Sequence, residues 1–168
     1  MQYALDALQK WSEKWLLNPN INKFQVVTFG RSVDKSYKYT TRDCNTQTIP
    51  LKRGIQVLDL GVYFDEKLSF KEHIHANINK AYMVLGLIKR NFKYLTIPTF
   101  IQLYISMVSF HLDYCSSVWA PYRTGDIEAL EKVKKRATTK ILPGLKNLPY
   151  SERLKICKIP DVDVDVVK

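Results

Sequence analysis

VLDLGVYFDEKLSF, residues 57–70, divides the chain into two stretches of different character. Its opening is aliphatic, β-branched and aromatic, which favours a short strand. Gly61 closes that strand, at a point where a turn, a bulge or a close backbone approach is needed. A turn follows, and from Ser69 onward the hydrophobic spacing is helical. With Gly54 at its front, the strand segment GIQVLDLGVYF covers 54–64.

Upstream, Ala4, Leu8, Trp11 and Trp15 stand at spacings of 4, 3 and 4, with Asp6, Lys10, Glu13 and Lys14 between them. That pattern predicts an amphipathic helix over 3–17 whose apolar stripe, both tryptophans included, packs into a core. Asn18-Pro19 ends it, because the residue before proline is pushed out of the helical region. FQVVTF (24–29) and YKYT (37–40) are further strand candidates, and 41–53 is a polar connection. Three short strands make at most a small antiparallel sheet that helices must cover.

Downstream, Ile74, Ile78, Ala81, Tyr82, Leu85 and Ile88 form one stripe, with Lys71, Lys80 and Lys89 off it and Arg90 and Lys93 near the end. A second helix starts near Pro98, with Phe100, Leu103, Tyr104, Met107 and Val108 inward, and loses regularity before Pro121. The third turns Ile127, Leu130, Val133, Ala137 and Ile141 inward and ends at Pro143-Gly144. Glu128–Lys132 and Glu131–Lys135 are spaced as favourable helical ion pairs. A short helix is expected over 151–157. The fold class is therefore α+β: one helix, a small antiparallel sheet, then a three-helix bundle. The units expected are 1–67 and 68–158, with a divergent tail at 159–168.

The 168 residues are 46% hydrophobic, enough for a packed core. The formal net charge of +10 points to a polyanionic partner, nucleic acid before membrane surface. The charge is uneven. Positions 71–158 hold 15 Lys and Arg against 6 Asp and Glu, a net of +9, whereas 1–70 hold 10 against 7, a net of +3. Cys44, Cys115 and Cys157 lie far apart without a C-x-x-C spacing, which excludes a zinc framework and favours a reducing, intracellular setting, nuclear or cytoplasmic. No signal pattern opens the chain. The uncharged stretch at 95–112 is broken by Pro98, Gln102, Ser106, Ser109 and His111, so it suits a buried helix and not a membrane span.

Catalytic constellations are scarce. His73 and His75, two apart on a helix, face different sides and make poor metal partners. His111 fits a satisfied core histidine. No Gly-rich phosphate loop is present. Asp161, Asp163 and Asp165 alternate, but in a tail with no hydrophobic frame. Asp59 fits an exposed strand residue. The third helix carries the stronger signal: Lys132, Lys135, Arg136 and Lys140 share a face that can neutralise phosphates, with Lys134 beside them. No base-reading motif accompanies them, so backbone and shape would guide binding.

Six phrases then combine: LQKWSEKW (8–15), NPNINKFQVVTFG (18–30), LDLGVYFDEKLSFKEHI (58–74), KAYMVLGLIKRNFK (80–93), FHLDYCSSVWAPY (110–122) and DIEALEKVKKRATTKILPGLKNLPYSERL (126–154). In this order and spacing they resemble the C-terminal part of a non-LTR (LINE-type, jockey-like) retrotransposon reverse transcriptase, an RNA-directed DNA polymerase. The resemblance runs to about Pro160. It implies a palm remnant followed by a thumb that cradles a template–primer duplex. By it, Lys23 lies near the incoming nucleotide, and Leu58, Asp59, Leu60 and Gly61 form a hairpin that grips the primer end. Lys80, Lys89, Arg90, Lys132, Lys135, Arg136 and Lys140 would meet the nucleic acid, an RNA–DNA hybrid or other duplex, with little regard to sequence. Phe24 stands where relatives commonly have Cys, and Leu58 where Lys or Tyr is usual.

The family also requires a Phe/Tyr-x-Asp-Asp pair to hold two Mg²⁺ ions. Nothing in this sequence matches it; the family places it just upstream of the first helix. The resemblance thus implies a fragment with no catalytic residues and no cofactor of its own, inactive alone. A palm without its other half is expected to expose an apolar face to a protein partner. The alternatives are a non-enzymatic helical interaction module or a degenerate copy without a role.

Overall fold

The computed structural model describes residues 1–30, 33–42, 47–140, 143–157 and 159, the side chains of Lys140 and Pro143 excepted. It is mixed helix and strand, with small sheets, and divides into two compact units, Met1–Ser69 and Phe70–Lys168.

In the first unit, the described residues form helix α1 (Gln2–Lys14) and then six strands: β1 (Gln25–Val26), β2 (Thr40–Arg42), β3 (Thr48–Pro50), β4 (Lys52–Arg53), β5 (Gln56–Asp59) and β6 (Val62–Asp65). They do not form the single antiparallel sheet expected. Among the described residues they make three two-stranded ladders. β2–β3 and β5–β6 are antiparallel, but β1 runs parallel to β4, with Gln25 opposite Lys52 and Val26 opposite Arg53. The supposed connection at 41–53 thus supplies three of the strands. None exceeds four residues, and Pro50, which has no N–H to donate, ends β3. The segment at 54–64 is not one strand but a hairpin. Leu60 and Gly61 both have positive φ (44° and 84°), the two-residue primed turn that reverses a chain with matched twist. Asp65 closes the unit by accepting hydrogen bonds from the backbone N–H of Lys67 and Ser69, each at 2.9 Å.

α1 corrects the sequence reading most sharply. Its polar side faces inward. The Gln2 amide donates to the Thr40 carbonyl (2.9 Å) and accepts from the Thr40 N–H (3.1 Å), while the Gln9 carbonyl accepts from the Arg42 N–H (3.2 Å). Gln2 and Gln9 are seven residues, about two turns, apart. Their amides substitute for a neighbouring strand along the edge of β2, whose backbone groups need partners. Ser12 is buried on the same side. The stripe expected in the core therefore points away: Trp11 is 51% exposed and Trp15 60%, and Leu8 is exposed too.

The second unit holds α2 (Lys71–Asn91), α3 (Ile97–Leu103), a π-helical stretch (Tyr104–Ser109), α4 (Phe110–Asp113), α5 (Ser116–Trp119), α6 (Thr124–Lys140) and α7 (Tyr150–Cys157). Here the apolar spacing was a sound guide. Ile74, Ile78, Ala81, Leu85 and Ile88 of α2 are buried, as are Leu130, Val133 and Ala137 of α6. Ile127 is half-buried, and Ile141 lies outside the described residues. α2 packs on α6 and α4, and α7 packs on α6. The 97–113 segment buries Phe100, Tyr104, Val108 and Leu112, four apart each time. A regular α-helix would rotate such a row away from the core, about 40° per step. The wider π turns hold it in place. The same change of register leaves Met107, expected inside, exposed.

The core histidine is His73, not His111. His73 is fully buried, hydrogen-bonded to the Asn77 amide (2.9 Å) and edge-on to Trp119 at 5.3 Å. His111 is half-buried beside the Phe110 ring. His75 is exposed on another side of α2, as its spacing from His73 requires.

Candidate nucleic-acid interface

The basic side chains of the second unit are sorted by helical geometry. On α6, Lys132 and Arg136 stand four residues apart and share one flank. Arg136 fixes where that flank lies, since its guanidinium sits 5.1 Å from the centre of the Tyr82 ring on α2. This cation–π contact joins the basic flank of α6 to the Tyr82 side of α2. Lys89 follows Tyr82 by seven residues, nearly two turns, so it occupies that same side. Lys71 precedes Lys89 by 18 residues, five full turns, and is aligned with it over about 27 Å of helix. Lys71, Lys89, Lys132 and Arg136 are all exposed. The side chain of Lys140 lies outside the described residues.

Two of these were missed in the sequence reading. Lys71 was noted only as lying off the apolar stripe, although its 18-residue spacing from Lys89 was legible. Tyr82 was assigned to the core stripe, whereas it is half-buried and its ring carries Arg136.

Other members of the expected set lie elsewhere. Lys80 is nine residues from Lys89, two and a half turns, and so projects from the opposite side of α2. It neighbours His73 instead. Burial first, and the Lys80 charge second, push the His73 pKa below its ordinary value. Arg90 is exposed and rotated one position, about 100°, beyond Lys89. Lys135 is exposed, three positions beyond Lys132 on α6. Lys134 is withdrawn from the surface altogether: it is buried, 3.6 Å from Glu131, which also accepts the Tyr150 hydroxyl.

The expected pairs Glu128–Lys132 and Glu131–Lys135 are not formed. Among the described residues, no carboxylate lies within ion-pair distance of Lys132 or Lys135. Glu131 is turned toward Lys134 and Tyr150 on the other flank, so it does not neutralise the exposed bases. What the arrangement offers is an array of fixed positive charge on two packed helices. Such an array suits phosphates, whose neutralisation releases counterions.

In the first unit, Lys23 ends a single 3₁₀ turn (Ile21–Lys23) and is exposed. Leu58 and Asp59 end β5, and Leu60 and Gly61 form the hairpin tip. All four are exposed, Leu60 by 83%. Leu60 is a branched residue in the left-handed region, where a side chain costs about 1–2 kcal/mol.

Among the described residues, no group of three or more His, Cys, Asp or Glu side chains is placed to hold a metal ion. Asp161, Asp163 and Asp165 lie outside the described residues, as does Cys44. Cys115 and Cys157 are free thiols. No described helix is long and apolar enough to cross a membrane.

No family model, no characterised protein and no solved structure matches the chain.

Proposed function

We propose that this chain is the template–primer-binding part of a retrotransposon-type reverse transcriptase, which holds a nucleic-acid duplex by its phosphates and does not polymerise by itself. On this reading the first unit is a palm remnant and the second a thumb. The observation that carries it is the Arg136–Tyr82 contact, because it sets Lys132 and Arg136 of α6 on the same side as Lys89 of α2. The six sequence phrases supply the family, and the duplex, an RNA–DNA hybrid in that family, supplies the regular anionic backbone that such a flank fits. Polymerisation would need aspartates for Mg²⁺, and the sequence contains no matching pair.

Titration of the chain with an RNA–DNA hybrid at several salt concentrations tests the binding. The expected result is an affinity that falls steeply with salt; an affinity indifferent to salt refutes it. A primer-extension assay with Mg²⁺ tests the inactivity, and extension above the no-protein background overturns that part.

The outward stripe of α1 favours a second reading, a protein-interaction module. Leu8, Trp11 and Trp15 form an exposed apolar row of the kind that marks interfaces. Trp11→Glu would then abolish a stoichiometric protein complex and leave hybrid binding unchanged. The duplex reading requires hybrid binding with no protein present.

A further inference from the structure

The first unit contains a cleft of about 310 Å³, lined by the 35–39 segment, by Pro50, Leu51 and Arg53, and by Val26. The 35–39 segment has no regular secondary structure, yet hydrogen bonds tie it to its neighbours. The Leu51 N–H donates to the Tyr39 carbonyl at 2.8 Å. Arg53 donates one nitrogen to the Tyr37 carbonyl (3.1 Å) and another to the Thr28 hydroxyl (2.9 Å). Lys35 reaches Glu66 at 2.7 Å, and Asp34 accepts the Ser36 N–H at 2.8 Å.

Two kinds of chemistry meet on the walls. Tyr37 and Tyr39 form an aromatic pair, ring centres 4.8 Å apart and tilted by 58°. Lys35, Lys38 and Arg53 bring three cations, and among the described residues no carboxylate belongs to the lining. Lys35 is neutralised by Glu66, and the fork of Arg53 is partly committed to Tyr37 and Thr28. Lys38 is exposed, and among the described residues it has no carboxylate within ion-pair distance. The volume lies at the small end of ordinary ligand sites, about 300–1,000 Å³.

We propose that this cleft binds one nucleotide unit, its base against the Tyr37–Tyr39 pair and its phosphate toward Lys38 and Arg53. Aromatic rings beside cations are the arrangement that takes unpaired bases, since every base has a face to stack and every nucleotide a charge to neutralise. A base-paired duplex cannot enter, because its bases are stacked within the helix. The ligand is therefore a free nucleotide or an unpaired nucleotide of a single strand, and the site belongs to the first unit, whereas the basic flank on α2 and α6 belongs to the second.

The test uses the full chain, a labelled eight-nucleotide oligothymidylate, a labelled RNA–DNA hybrid and unlabelled thymidine monophosphate, read by fluorescence anisotropy. Tyr37→Ala is expected to weaken single-strand binding about tenfold. Lys38→Gln is expected to lower the salt slope by about 0.7. Both variants should shift hybrid affinity less than about twofold. Both side chains are exposed, so both variants should fold, and circular dichroism checks that they do. Displacement of the oligonucleotide by the mononucleotide assigns a free nucleotide; failure to displace, with the tenfold loss intact, assigns a strand-borne one. The proposal is overturned if the wild type does not bind the oligonucleotide, if both variants bind it normally, or if they lose hybrid and single strand equally. A wild type that binds the oligonucleotide but not the hybrid would instead count against the duplex reading.

Discussion

Lys132→Ala and Lys80→Ala remove the same charge from the same unit, but from places that helical geometry separates. Lys132 shares the α6 flank with Arg136, which touches Tyr82, whereas Lys80 projects from the far side of α2 beside His73. Each phosphate neutralised contributes a slope of about −0.9 to log K against log salt. With Lys71, Lys89, Lys132 and Arg136 each meeting one phosphate, the slope is about −3.6, and affinity falls about 150-fold between 50 and 200 mM salt. Removing Lys132 should flatten the slope to about −2.7 and reduce that fall to about 40-fold. Removing Lys80 should leave the slope within about 0.3 of the wild type, since an exposed charge on the opposite side of a helix is largely screened at these ionic strengths. The assay is anisotropy of a labelled hybrid across four salt concentrations. Equal flattening by both substitutions would refute the reasoning, because attraction would then follow net charge and not a defined flank.

Three further outcomes follow from individual side chains. The folded-state pKa of His73 is lowered, mainly by burial, so the native state favours the neutral ring. The stability this confers is fully present above the ordinary value of 6.5 and is lost as pH falls below it. The urea midpoint should drop between pH 7 and 5, and His73→Phe should remove most of that dependence. The hydroxyl of Tyr104 is buried with no hydrogen-bond partner among the described residues, and burial, with Asp113 and Glu131 near, raises its pKa. Tyr104→Phe should therefore stabilise the second unit by about 1 kcal/mol, and a loss of similar size in the denaturation midpoint would show that the hydroxyl is in fact bonded. Leu60→Gly should stabilise the hairpin by about 1 kcal/mol by removing left-handed strain, read as a higher urea midpoint of the first unit.

How far the sequence was legible depended on the length of each pattern. α2 and α6 span 21 and 17 residues, long enough for a 3.6-residue period to identify the inward side. The strands have two to four residues and show no period at all, so FQVVTF and YKYT mark only the neighbourhoods of β1 and β2, β3 and β4 fall in what reads as a polar connection, and the β5–β6 region reads as one strand. Gly61 marked a turn, but that the chain doubles back there depends on Leu60 also taking positive φ, which leucine does not advertise. α1 shows a different limit. Its spacing separated an apolar side from a polar one, but not which of them faces the rest of the unit. The edge of β2 offers unpaired backbone groups, and glutamine amides seven residues apart can meet them; hydrophobic spacing does not register that demand. The interface was half legible for a related reason. The basic residues were counted correctly, but a count carries no direction. The 18-residue step from Lys71 to Lys89 and the nine-residue step from Lys80 to Lys89 decide which of them can act together.

The two units also differ in what they bury, and that difference bears on the kind of recognition each can perform. Among the described residues, 17 of the buried apolar side chains belong to the second unit, and only Val26 and Val62 to the first. A phosphate-reading surface needs charges at fixed spacing, and helices locked by a packed core hold that spacing at no further cost in order. The second unit meets this condition, with Ile88 and Val133 buried under the helices that carry Lys89 and Lys132. The first unit is joined largely through polar contacts, such as Gln2 to Thr40 and Arg53 to Tyr37, and Tyr3, Trp11, Trp15, Phe29 and Tyr37 stay at the surface. Rings so placed can stack on bases or on a partner's side chains, and stacking tolerates small adjustments of angle. Thus the sparsely packed unit is suited to contacts made ring by ring, and the densely packed one to contacts made charge by charge along a regular backbone.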